Sequence, residues 1–287
     1  MTVSSLLSYQ FAWNNFLFGN GTAHTLQSLD GIQGLPGIRN QDDDQGYADG
    51  MFSGNDFFTG RTITFTLQTF ATAGGNSAQV NYNLLKAALL PQVSGTTPLQ
   101  FRLSGSNMQR INARIRSSIT PVDQNYTFGK ITSQWTFFCP DPKFYDDTLQ
   151  TTTITINNSI GRGYNRTYNK TYGGGTANTA YTTVNNSGWA NSYPVITITG
   201  PIANPTVGNY TSGQFVSLTG TFTASDVIVI DLASKLVTKN GLTARNLVTG
   251  SSTWFNAMAG AQQFYLNGTG TITGTTTATV AFRNAYV

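Results

Sequence analysis

The stretch RTITFTL, residues 61–67, decides the fold class. Ile63, Phe65 and Leu67 alternate with Thr62, Thr64 and Thr66, the period of two that a strand shows when one face is covered and the other is wet. A helix would need apolar side chains every three or four residues, and Cβ-branched threonine suits a pleated surface better than a helical one. The pattern recurs downstream. In LQFRLS, Leu99, Phe101 and Leu103 alternate with Gln100 and Arg102. QRINARIRS sets Ile111, Ala113 and Ile115 opposite Arg110, Asn112, Arg114 and Arg116, and GKITSQWTFF sets Ile131, Trp135 and Phe137 opposite Lys130, Gln134 and Thr136. Between these strands, NSAQVNYNLLKAALLP (76–91) predicts one amphipathic helix with Val80, Leu84, Leu85, Ala88 and Leu89 on its apolar face. Asn76 with Gln79 resembles a capping box, and Pro91 ends the helix.

Composition agrees. The 287 residues include 30 glycines, 39% are apolar and only 10% are charged, so the chain can bury a core but must turn often. Every one of the 12 acidic residues is aspartate. A net charge of +4 and a pI near 9.2 do not demand a nucleic acid partner. A surface this poor in charge has little electrostatic defence against association, which predicts burial of much of it in partners. The single cysteine, Cys139, excludes an intramolecular disulfide. The N-terminal segment has neither a basic stretch nor a continuous apolar run, so it reads as no secretory signal, and no segment reaches membrane-spanning length.

Two domains are expected. Pro140 and Pro142 in CPDPKFYDD interrupt the strand pattern, which places an N-terminal domain at 1–146 and a C-terminal one at 147–287. Residues from about 157 to 190 are rich in Gly, Thr, Asn and Tyr and poor in aliphatics, a polar arm rather than a core. From YPVITITGP onward, short alternating segments at roughly ten-residue spacing predict an antiparallel sandwich, and Asn240-Gly241 marks a hairpin turn.

Chemistry-bearing patterns are sparse. Asp42, Asp43 and Asp44 sit in a glycine-rich loop, but from Asn40 the sixth and twelfth positions are Gln45 and Met51, where an EF-hand loop needs Gly and a bidentate carboxylate. Arg102, Arg110, Arg114, Arg116 and Lys130 occupy outward positions on successive strands; like charges so placed repel and favour an anionic partner, such as carboxylates of another subunit. His24 is the sole histidine and no nucleophile elbow accompanies it. Asp146 and Asp147 are adjacent, so on an extended chain they point to opposite sides and make a poor glycosidase pair. Trp189 and Trp254, with Tyr193 and Phe255, offer aromatic surface for sugar stacking, or ordinary core and interface. No enzyme, metal or cofactor is indicated.

The ordered set of segments resembles the distal tail proteins of siphophages that infect Gram-positive, especially actinobacterial, hosts. It comprises the Asp-rich loop ending in GRTITFTLQTF, the helix ending in LLKAALLP, PLQFRLSG with QRINARIRS, FGKITSQWTFFCPDPKFYDD, YPVITITGPIANP, VIVIDLASKLVTKNG and the closing ATVAFRNAYV. The resemblance covers nearly the whole chain outside about 157–190. It implies a mainly β protein: an N-terminal tail-tube-like β-barrel or sandwich with one helix, and a C-terminal galectin-like antiparallel β-sandwich. It further implies a structural virion component made in the host cytoplasm. Such proteins form a hexameric ring at the tail tip that joins the tail tube to tip or baseplate proteins, around a lumen that DNA crosses without specific binding. No membrane, no catalytic residues and no cofactors come with that family. The alternative is a carbohydrate-binding tail module that recognises host-wall sugars. On the first reading the Asp42, Asp43, Asp44 loop is a subunit contact that meets Arg110, Arg114 or Arg116 of a neighbouring protomer.

Overall fold

The structure, a computed structural model, describes residues 3–91, 93–158, 179–269 and 274–287. It divides into two compact units, Met1–Asp147 and Thr148–Tyr286. The protein is mainly β, as the alternation predicts.

The first unit opens with strands β1 (Gln10–Trp13), β2 (Phe16–Gly19) and β3 (His24–Asp30). A long excursion follows, carrying the two-residue strands β4 (Ile38–Arg39), β5 (Asp43–Asp44), β6 (Met51–Phe52) and β7 (Phe57–Phe58). Then come β8 (Arg61–Thr69), helix α1 (Ala78–Ala88), β9 (Thr97–Arg102), β10 (Gln109–Ile119), the short helix α2 (Gln124–Thr127), β11 (Ile131–Cys139) and β12 (Phe144–Asp146). The main sheet runs β2-β1-β9-β10-β11-β8-β3, with β12 paired to β10. Its opposite edges approach, since the Phe16 and His24 rings lie 5.3 Å apart, so the sheet curls toward a barrel. The antiparallel β8–β11 ladder sets Ile63 against Phe137 and Phe65 against Trp135. Phe65 is wholly buried and meets Phe11, Phe18 and Phe137 edge-on at centroid distances of 4.9, 5.4 and 5.3 Å. Edge-to-face rings set the positive rim of one against the negative face of the next.

The helix differs from its sequence reading in two ways. Its cap is Ser77, whose hydroxyl accepts from the Val80 N–H, one residue later than the expected Asn76. It buries Ala78, Asn81, Leu85 and Leu89, while Val80 and Leu84 face solvent. Asn81 is drawn inward because its amide donates to the Phe70 carbonyl at 2.8 Å and to the Thr72 hydroxyl at 3.0 Å, so the inward stripe keeps Leu85 and Leu89 of the expected face and leaves Val80 and Leu84 outside.

The second unit holds β13 (Gln150–Asn158), β14 (Thr179–Asn186), β15 (Val195–Thr199), β16 (Ile202–Asn209), β17 (Gln214–Ser217), β18 (Thr221–Phe222), β19 (Val227–Asp231), β20 (Leu236–Lys239), β21 (Leu242–Thr243), β22 (Gly260–Thr269) and β23 (Gly274–Phe282). Two antiparallel sheets, β13-β23-β15-β19-β20-β21 and β14-β22-β16-β17 with β18 beside β16, share one apolar core. This is the predicted sandwich. Asn240 and Gly241 take φ of 50° and 81° in the β20–β21 turn, the left-handed pair that such a hairpin requires. Buried amides are satisfied: Asn186 donates to Ala190 and Ala257 carbonyls and accepts from Gly188 and Ala285 N–H groups. Of the expected polar arm at about 157–190, residues 159–178 lie outside the described residues, whereas Thr179–Asn186 forms strand β14.

Truncating Phe65 removes one ring from three aromatic contacts. Phe65→Ala should destabilise the first unit by about 3–5 kcal/mol. Urea unfolding monitored by tryptophan fluorescence reads this as an early shift of that unit's transition, with a smaller shift for Phe65→Leu.

Candidate functional site

The excursion between β3 and β8 is the part of the first unit that its core least explains. Residues 37–59 form an arm in which every residue is exposed except the half-buried Gln45. Two short ladders hold it. Ile38 and Arg39 pair with Phe58 and Phe57, and farther out Asp43 and Asp44 pair with Phe52 and Met51. Thr59 N–H closes the base on the Gly37 carbonyl at 2.7 Å, and the Asp42 carboxylate accepts from the Gly54 N–H at 2.8 Å. An isolated two-stranded ribbon is at best marginal in water. This one nonetheless displays Ile38, Tyr47, Met51, Phe52, Phe57 and Phe58 to solvent, with Phe52 63% exposed. Five aspartates against one arginine make it acidic. Exposed apolar surface of this kind marks candidate contact sites.

Its root is fixed by a residue that the sequence reading passed over. Arg61, 2% exposed, heads β8 on the same side as Ile63, Phe65 and Leu67. Its Nη1 donates to the Gly31, Ile32 and Gly34 carbonyls at 2.7, 3.3 and 2.6 Å, and its Nε donates to the Pro142 carbonyl at 3.1 Å. The guanidinium also lies 4.5 Å from the centre of the Phe144 ring. Burial pushes its pKa down. One side chain thus holds the chain entering the arm, while its own backbone leaves it. Gly31 is required there: its φ is +85°, and a Cβ would sit 2.0 Å from the Thr62 carbonyl oxygen. The signal was present in the alternation, which places Arg61 on the inward parity.

The basic residues are not gathered into one face. Arg110 is half-buried and ion-paired with Asp147, its Nε 2.7 Å from Oδ1. Arg102 donates to the Ser106 and Leu6 carbonyls, both at 3.2 Å. Lys130 lies at the far end of β11 from Phe138, the partner of Arg114, about 25 Å away at the rise of a strand. Arg114 and Arg116 remain together on β10. Arg116 packs 4.9 Å over Phe138 and lines a cleft of 230 Å³ with Lys86, Leu89, Leu90 and Trp135. Strand length and local acceptors therefore replace the expected single cluster with a pair beside the helix.

Other singled-out residues have local roles. Among the described residues no group of three or more His, Cys or Asp side chains is placed to hold a metal. Asp147 also accepts from the Gln100 amide, and Asp146 is buried in β12. Buried Cys139 has its thiol pushed up to about 12 by burial. His24 is buried, its Nδ1 3.0 Å from the Thr69 hydroxyl, and burial lowers its pKa from 6.5 to about 4. Trp254 packs against the sandwich core, whereas Trp189 is 71% exposed and meets Tyr286 edge-on at 4.8 Å. Among the described residues no helix is long and apolar enough to cross a membrane.

Two outcomes follow from these contacts. Lysine has one nitrogen and cannot serve four carbonyls on two segments, so Arg61→Lys should cost about 2 kcal/mol. Limited proteolysis should then cut it at 31–36, where the wild type resists; an unchanged cleavage pattern would refute the clamp. For His24, the unfolded chain takes up a proton below about pH 6.5 that the folded chain refuses until about pH 4. Stability should fall across that window as pH falls, by up to about 3 kcal/mol, and His24→Gln should flatten the slope in denaturant titrations at each pH.

The comparisons with known proteins bear on both units. The family model for the siphovirus-type tail component, C-terminal domain, matches residues 187–286. No curated protein matches the sequence. Among solved structures, the chain is similar to the SPP1 Dit (gp 19.1) protein, described as a paradigm of the hub adsorption apparatus in Gram-positive infecting phages. The TM-score is 0.68 at 15% identity, over 97% of this chain and 99% of that one. It is also similar to a chain of the phage P2 baseplate in its activated conformation with Ca, with a TM-score of 0.52 at 14% identity over 96% and 97%. Identities this low speak for fold alone, and they do so over nearly the whole chain. Residues 187–286 thus match the siphovirus-type tail component C-terminal domain, and the chain shares its fold with the SPP1 Dit protein.

Proposed function

We propose that this chain is a structural hub of a siphophage tail tip: a ring of six copies that joins the tail tube to tip or baseplate proteins and surrounds a conduit for DNA. The observation that carries this reading is the arm at 37–59, an acidic ribbon whose aromatic side chains find no cover within their own unit. The exposed Leu90 after α1, with Lys86 and Arg116 lining the same cleft and Arg114 next along β10, supplies a second surface of the opposite charge. A ring uses two such different patches on every copy, because head-to-tail contacts close when the rotation allows. The family match and the SPP1 Dit-like fold support a place in the virion tail. Synthesis in the host cytoplasm and passage of DNA without specific binding belong to the same reading. So does a structural rather than an enzymatic role.

In this reading Asp42, Asp43 and Asp44 meet Arg114 and Arg116 of the neighbouring protomer. Replacing all three aspartates with asparagine should shift the purified protein from ring toward monomer, more so at about 50 mM than at about 500 mM salt, where such pairs are already screened. Phe52→Asp should disrupt assembly at either salt. Size-exclusion chromatography with light scattering and negative-stain images report both. A wild type that stays monomeric at high concentration would refute the ring.

A further inference from the structure

The outer face of the β14-β22-β16-β17 sheet carries an aromatic platform that neither the core nor the hub reading uses. Tyr265 on β22 pairs directly with Tyr181 on β14 and with Gly208 on β16. Tyr210 follows β16, and its N–H donates to the Gln263 carbonyl at 2.7 Å. The Tyr181 ring lies 5.8 Å from Tyr210 and 6.1 Å from Tyr265, and Tyr181 and Tyr210 are 51% and 63% exposed. Gly208 makes the platform possible: a Cβ there would sit 2.6 Å from the Tyr265 ring, so only glycine lets that ring lie down on the sheet. Among the described residues, the three phenols and the Gln263 and Asn267 side-chain amides have no hydrogen-bond partner.

The chemistry of the face narrows its ligand. Strands β14, β16, β17 and β22 contain no charged residue. A polyphosphate backbone binds through cations, so nucleic acid and anionic wall polymers are poor fits. The large aliphatic side chains, which dominate dry protein contacts, point inward on these strands; outward stand tyrosine, glutamine, asparagine, threonine and serine, with the half-buried Phe215 beside Gly208 and the small Ala261. Rings that are apolar on the face and polar at the tip, flanked by open amides, match a molecule with C–H faces and a hydroxyl rim. We propose that this face binds a neutral polysaccharide, with sugar rings stacked on Tyr181 and Tyr210 and hydroxyls held by Gln263 and Asn267. The site is separate from Trp189 and Trp254, on which a sugar reading of the sequence would rest.

Affinity electrophoresis of the full-length protein in gels containing neutral galactan, mannan, arabinan or glucan tests this. The wild type should be retarded by at least one of them, and Tyr210→Ala and Tyr181→Ala should each weaken retardation about tenfold, the loss of one stacking contact. Tyr181→Phe, which keeps the ring, and Trp189→Ala should leave it near the wild-type value. Both alanine sites are exposed, and unchanged melting temperatures confirm that the variants fold. The proposal is overturned if no neutral polysaccharide retards the wild type, or if retardation survives both tyrosine substitutions. It is also overturned if those substitutions instead abolish capture of another tail protein while sugar binding is absent, which would make the platform a protein contact. None of these outcomes alters the oligomeric state on which the hub reading stands.

Discussion

The first unit depends on the parity of one strand. β8 pairs along its full length with β11, and every second side chain on it must enter the core: Ile63, Phe65 and Leu67, with Phe137 and Trp135 opposite. A slip of one residue would turn the whole apolar set to water and bring three threonines inside. The same parity forces Arg61 inward at the strand's end. A buried guanidinium without a carboxylate can persist only where other acceptors converge on it. The carbonyls of Gly31, Ile32, Gly34 and Pro142 do so, and their convergence determines where the arm leaves the sheet.

On the hub proposal, that arrangement ties stability to assembly. The arm has almost no packing of its own, so its direction is inherited from a root held by hydrogen bonds in a dry environment. A ribbon rooted in this way is pre-organised: less freedom is lost when a neighbour covers it, and more of the contact energy is available for association. On the same proposal, low charge over the rest of the chain serves this end, because few ions must be stripped of water when surfaces meet. The second unit spends its sequence differently. Its core is mostly aliphatic, its buried amides are satisfied, and its outer sheet face is neutral and tyrosine-rich, a surface better suited to a hydroxylated ligand than to a charged one.

Much of the fold was legible because alternation is a local property. The strands through Ile63, Leu99, Ile111 and Ile131, the sandwich strands from Val195 onward and the Asn240-Gly241 hairpin follow from side-chain period and turn chemistry. The helix was legible in extent but not in rotation. Val80 and Leu84 look like core on a helical projection, and only the hydrogen bonds of Asn81 to Phe70 and Thr72 show that Asn81 joins Leu85 and Leu89 inside while those two stay out. The basic residues were misgrouped for a similar reason. Outward parity says which side of a sheet a residue takes, not how far along the strand it lies or which carboxylate stands beside it, as Asp147 does beside Arg110.

By itself, then, the sequence determined that this is a mainly β protein with one long amphipathic helix, few charges and an acidic loop ahead of its best strand, but not the short helix α2. Those features depend on neighbours in the chain. The tertiary structure alone decided that the loop is a projecting ribbon, that Arg61 anchors it, and that Tyr181, Tyr210 and Tyr265 share one surface. Each of these brings together residues tens of positions apart, and such meetings are set by strand register and burial, which no local pattern encodes.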